Sequence, residues 1–416
     1  MHEIREEVLN ERTQKGNDES RVCTLRMTNA WPVWRSLALA ACVLAVAAAG
    51  ARGQAEGPEE LYRRGVGEFA AGNYANAATA FKELITNFGN EPSLAAQMEG
   101  AFYAYGCCLY NQGQHADAIE AFKSYAAKYP EARFRDEALY RIAVAHQILE
   151  AWEAAIAAYK DLLAQYPRSA YAEDAAYQLG MVFMLEDKLP EGVQAFADFM
   201  SAFPGSEYWG QAGAFIARAL FDQDKAVEAI AMLQKLEQRP RSWSVITYCN
   251  FLAFEIGDAA FDETEYELAL KAYRRVKPRA VLLRREGETV ETLRAELERF
   301  RRVKAAPEQV QARFMQERRL QGSLAQAEEL LKKLESLPDY DANLYHRIGR
   351  CFFNLDRFWE ARVAFMRVVE IASEDKIREA GHFDLVLCLS RLRRFDELIG
   401  EADRYLDRYD PEWKRN

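Results

Sequence analysis

Proline is scarce in this chain, with 12 in 416 residues. That suits long stretches of helix, because each interior proline removes a backbone donor and clashes with the preceding turn. Few stretches alternate polar and apolar residues, so a sheet is not expected. Histidine is scarcer still, with five, and neither His115, His146, His346 nor His382 stands in a nucleophile–base pattern. No GxxxxGK[ST] loop, HExxH, GxSxG elbow or GxGxxG after a strand occurs, so the marked phosphate, zinc-protease, hydrolase and dinucleotide chemistries are missing and no cofactor or catalytic residue is expected. Seven cysteines are scattered without CxxC or Cys/His spacing, so no metal site is expected. Basic excess is lacking too: 54 Lys and Arg face 64 Asp and Glu, a net charge of −10 that does not suit nucleic acid.

What is present is an interval. Pro130, Pro167 and Pro204 lie 37 residues apart, and each follows an aromatic residue, Tyr129, Tyr166 or Phe203. The same spacing relates Gly106, Ala143 and Gly180, then Ala118, Ala155 and Gly192, then Phe122, Tyr159 and Phe196. Small residues at two places let a pair of antiparallel helices cross closely, a ring fills the crossing, and proline stops the second helix. Weaker copies follow Gly65, Ala77 and Phe81; Ala217, Ala229 and Leu233; Gly257, Ala269 and Tyr273; and Gly349, Ala361 and Phe365. A last pair, Leu385 to Tyr409, keeps only the hydrophobic rhythm. The expected fold is all-α, a solenoid of about eight helical hairpins in which stacking buries what one hairpin cannot.

The pattern resembles the tetratricopeptide repeat. With Glu99 as position 1, Gly106, Ala118, Phe122 and Pro130 take its small, small, ring and proline places. The resemblance covers 58–278 and 342–411. It implies that the first helix of each hairpin lines an inner groove, with Tyr103, Tyr140 and Tyr177 forming a ladder joined by Tyr110, Met181, Met184 and Phe221. Rings and methionines suit an extended peptide or helix, although the same tyrosines could instead fill the stack between helices. The Lys and Asn clamp of chaperone-binding relatives is replaced by Tyr, Val and Met. The linker from Tyr166 to Ala175 is similar to those of bacterial envelope repeat proteins of the outer-membrane assembly lipoprotein and Tol-Pal coordinator types. The resemblance thus implies a non-enzymatic periplasmic scaffold for an envelope protein or peptide. Alternatives are a peptidoglycan- or polysaccharide-associated binding module, whose tyrosines would stack sugars, and an enzyme with an unmarked site.

Four segments follow. Residues 1–53 read as a leader and signal peptide: Arg35 precedes an apolar run over 36–51, and small residues place cleavage between Arg52 and Gln54. Met27 offers a simpler start, which would make 1–26 a misassigned extension. Two rivals are an uncleaved anchor helix at 36–51 and lipidation of Cys42 after Leu39-Ala40-Ala41. Residues 54–278 hold about six repeats, and 338–416 hold the C-terminal ones. Between them, 279–337 reads as a charged helical insertion whose apolar residues recur at three and four. Arg279 to Arg319 carries eleven Lys and Arg against seven Glu, reversing the sign of the chain. That suggests a docking arm around Arg294, Arg299, Arg301 and Arg302. Cys107, Cys108, Cys249, Cys351 and Cys388 are expected as small buried hydrophobes.

Overall fold

The computed structural model describes residues 56–238, 243–302 and 310–410, without the side chains of 243–244 and 310–315. The expected signal peptide, its start at Met27 and Cys42 lie outside the described residues. These residues contain eighteen α-helices and no strand, and they fall into two compact units divided between Phe199 and Met200.

The first unit holds α1 (Pro58–Ala70), α2 (Tyr74–Phe88), α3 (Ala95–Asn111), α4 (His115–Lys128), α5 (Arg135–Ile148), α6 (Trp152–Gln165), α7 (Ala172–Leu185) and most of α8 (Leu189–Ala202). The second holds α9 (Trp209–Phe221), α10 (Ala226–Leu236), α11 (Trp243–Asp262), α12 (Tyr266–Tyr273), α13 (Arg279–Arg302), α14 (Val310–Ser336), α15 (Asp341–Asn354), α16 (Phe358–Ile371), α17 (Asp375–Arg391) and α18 (Phe395–Tyr409). Successive pairs form hairpins. Helices α4, α6 and α8 end two residues before Pro130, Pro167 and Pro204, since a residue preceding proline avoids the helical region. Tyr129 and Tyr166 accordingly leave it, at φ −126° and −132°.

One turn is reused throughout. Gly72, Gly113, Glu150, Asp187, Asp224, Thr264, Asp356 and Arg393 all adopt positive φ, between 55° and 80°, just after a first helix. The N–H of the residue after each closes back on the helix, as in Gln114 N to Leu109 O (3.0 Å) and Glu265 N to Ala260 O (2.8 Å). These are the bonds of a left-handed helix cap, which satisfies terminal carbonyls and reverses the chain.

The crossing of each hairpin rests on the small-and-ring pairs read from the sequence. A Cβ added at Gly65, Gly106, Gly180, Gly257 or Gly349 would lie 2.4–2.7 Å from the ring of Phe81, Phe122, Phe196, Tyr273 or Phe365. Those rings are at most 1% exposed. All five described cysteines are also buried, none beyond 6% exposed, as their packing role requires.

In the second unit α12 packs directly on α15, so hairpin stacking continues past the α13/α14 pair. That pair is an antiparallel coiled coil. Leu283, Glu286, Val290, Leu293, Leu297 and Phe300 on α13, and Leu320, Leu324, Ala327, Leu331 and Leu334 on α14, recur at alternating three- and four-residue steps, all buried or half-buried. Arg294–Glu328 (2.6 Å) and Arg301–Glu317 (2.8 Å) bridge the two helices at the surface. Its base is a buried polar joint. The Asp341 carboxylate accepts from Arg279 N (2.5 Å) and Ala280 N (3.0 Å), capping α13, while Asn250 exchanges two 3.1 Å bonds with the backbone of Lys277.

Candidate protein-binding faces

The tyrosine ladder is divided by burial. Tyr103 and Tyr177 are 4% and 2% exposed, so their rings belong to the stack rather than to an open wall. Tyr103 stacks on Phe134 with centroids 5.0 Å apart and tilts against Phe122 and Tyr125. Tyr177 packs on Phe196 and Phe199 at 5.4 and 5.5 Å. Only Tyr140 remains half-buried, stacked on Tyr171 at 5.1 Å. Phe134 and Tyr171 are 37 residues apart and open α5 and α7. The signal was therefore present: an aromatic residue recurring in the linkers, which lies over the tyrosine of the preceding first helix.

The remaining groove candidates are mixed. Met181 is buried, whereas Tyr110, Met184 and Phe221 are half-buried. Tyr110 meets His115 edge-on at 5.1 Å and carries the Arg141 guanidinium 5.5 Å above its ring. In the second unit the Arg218 guanidinium lies 5.7 Å from the Phe221 ring. Arg141 is tied to Glu137 at 2.7 Å, each side chain only 15% exposed. Burial would raise the Glu137 carboxyl, but the Arg141 charge and the two bonds that Arg141 donates outweigh it and hold the group below its ordinary value.

Exposed apolar surface lies at places the sequence did not mark. Ile148 and Leu185 hold equivalent places at the ends of α5 and α7 and are 49% and 43% exposed. In the second unit, α17 exposes Phe383 and Leu387. Helix α16 exposes Trp359, Val363 and Met366 on one face, where α4 has Ala116, Glu120 and Lys123. A cleft of about 580 Å³ beside Met366 is lined by His382, Leu385, Glu401, Arg404 and Tyr409. Its acid–base pair, His382 with Glu401 at 3.2 Å, adjoins no nucleophile, and among the described residues no three His, Cys, Asp or Glu side chains are grouped to hold a metal ion. On the arm, Arg294, Arg301 and Arg302 are exposed but bridged to Glu328, Glu317 and Glu298, while Arg299 is exposed. No helix among the described residues is long and apolar enough to cross a membrane.

Residues 54–190, about a third of the chain, match a family model described as an outer membrane lipoprotein, YfiO. No curated protein matches the sequence. Among solved structures, a tetratricopeptide repeat protein from Parabacteroides merdae is 15% identical, with 79% of this chain and 98% of that one covered, at a TM-score of 0.38. The MamA protein is 21% identical, with 44% and 90% covered and a TM-score of 0.36. MamA from Desulfovibrio magneticus is 18% identical, with 44% and 95% covered and a TM-score of 0.35.

Proposed function

We propose that this all-helical stack of hairpins, whose pattern resembles the tetratricopeptide repeat, is a protein-interaction scaffold that works in the bacterial periplasm, holding an envelope protein or peptide without catalysing a reaction. The supporting observation is the match of 54–190 to an outer membrane lipoprotein family. The apolar run at 36–51 after Arg35 agrees with export, and the charge of −10 keeps such a scaffold away from nucleic acid.

The seat for the partner is the first-helix face of the first unit, where Ile148 and Leu185 add exposed aliphatic area beside half-buried Tyr110, Tyr140 and Met184. Removing such exposed apolar area from water favours association. The arm arginines, all exposed, form a second surface suited to an acidic partner. A sugar-stacking wall fits less well, because stacking needs open ring faces and Tyr103 and Tyr177 offer none.

Crosslinked recovery from envelope fractions tests the reading. Replacing Ile148 and Leu185 with Glu should abolish partner recovery and leave the melting temperature unchanged, since both residues are exposed. Undiminished recovery would remove this face. Mass spectrometry of the cellular protein should find an N-terminus between Arg52 and Gln54 or a lipidated Cys42, and an intact cytosolic N-terminus would overturn export.

A further inference from the structure

The fifth residue of a second helix is a buried aliphatic in much of this chain. Ile119 of α4, Ile156 of α6, Ile230 of α10 and Leu270 of α12 are 4–8% exposed. What covers them in the first unit is the first helix of the following hairpin. Ile119 clusters with Ala138, Ile142 and Ala145 of α5, and Ile156 with Ala175, Leu179 and Val182 of α7. Both covering triplets run i, i+4, i+7, the spacing of one helical face.

Helix α18 keeps the same residue type, and among the described residues no helix covers it. Ile399, its fifth residue, and Phe395, its first, are each 59% exposed, and none of its residues is buried. Along one edge Asp396 and Asp403 lie seven residues apart, both exposed, and exposed Asp410 follows at the C-cap. The arginines of the helix and its N-cap are engaged: Arg394 pairs with Glu397, Arg404 with Glu401 and Arg408 with Asp375. Helix α1 by contrast exposes charge, in Glu59, Glu60, Arg63 and Arg64.

We infer that the outer face of α18 is a docking seat for an amphipathic helix of another protein. That helix presents small or aliphatic residues at i, i+4 and i+7, as α5 and α7 do, and carries Lys or Arg along the edge that meets the aspartates. A second copy fits poorly. Two α18 helices face to face would oppose their aspartate rows, and α1 offers charge rather than apolar area.

The full chain should bind a labelled synthetic helical peptide with Ala, Leu and Val at i, i+4 and i+7 and lysines along one edge. A twin with glutamates in place of the lysines should bind at least about tenfold more weakly. Ile399→Glu should lose at least about tenfold in affinity for the lysine peptide without lowering the melting temperature; should that variant unfold, Phe395→Ser carries the same comparison. Failure of the lysine peptide to bind, equal binding of the twin, or parental binding by a folded variant would overturn the proposal. A dimer in sedimentation velocity that Ile399→Glu dissociates would give the face to a second copy and overturn it as well.

Discussion

At Gly106 a missing side chain is what lets Phe122 lie against α3, and the cost of supplying one follows from geometry. Gly106→Ala places a Cβ 2.7 Å from that ring, so the helices must part or the ring must leave its rotamer, a loss of about 1–3 kcal/mol. Gly287, within α13, has nothing within 4 Å of an added Cβ, so Gly287→Ala should instead stabilise by about 0.5–1 kcal/mol. Urea unfolding of the pair checks the contrast. Thr264 poses the reverse problem, a β-branched residue held at φ 64°, in a region that disfavours a Cβ by roughly 1–2 kcal/mol. Thr264→Gly relieves that strain against the greater freedom of an unfolded glycine, and a net gain of about 0.5–1 kcal/mol is expected by the same measurement. The small-and-ring pairs were legible because two residue types recur together. The turn residue was not, because Gly, Glu, Asp, Thr and Arg share one backbone conformation without sharing a chemistry.

The insertion is the element whose attachment the sequence hid. Its three- and four-residue rhythm announced two paired helices, but its joint depends on Asn250, Tyr340 and Asp341, which come from different stretches of chain. The Tyr340 phenol donates to Lys277 O at 2.7 Å, and burial pushes it up to about 12. Asp341→Ala strands two backbone donors at the start of α13 and should cost about 1–2 kcal/mol. Circular dichroism melting of this variant beside Arg294→Ala separates joint from surface. The Arg294–Glu328 bridge is 59% and 43% exposed, and its loss should change stability by less than about 1 kcal/mol.

For the whole molecule, pH reads out the burial of its acids. Burial raises the Cys108 and Cys351 thiols from an ordinary 9.0 to about 12. It also raises the Tyr125, Tyr248 and Tyr273 phenols above their ordinary 10.0. The folded state therefore keeps protons that the unfolded chain releases, so this contribution is intact below pH 9 and lost as pH rises toward 12. Glu137 works in the opposite sense. Its folded value is depressed, so its contribution is present above 4.5 and lost as pH falls through the folded value. Urea midpoints should decline on the alkaline side from pH 9. The thiols of Cys108 and Cys351 should resist Ellman's reagent in the folded protein and react once it is unfolded.

Local signals determined the helical hairpins. Proline after an aromatic residue stops a helix wherever it stands, and a small residue facing a ring recurs only if two helices cross there each time. Which side a tyrosine takes is a different matter. Tyr103, Tyr140 and Tyr177 share one place in the repeat, yet two are sealed and one is half-buried, because helix positions facing a neighbour and facing a groove lie within one turn. The linker rings Phe134 and Tyr171 close over two of them only when the next hairpin docks. Ile399 shows the same dependence: its residue type matches Ile119 and Ile156, and only the stacking of a following helix separates a buried side chain from an exposed one.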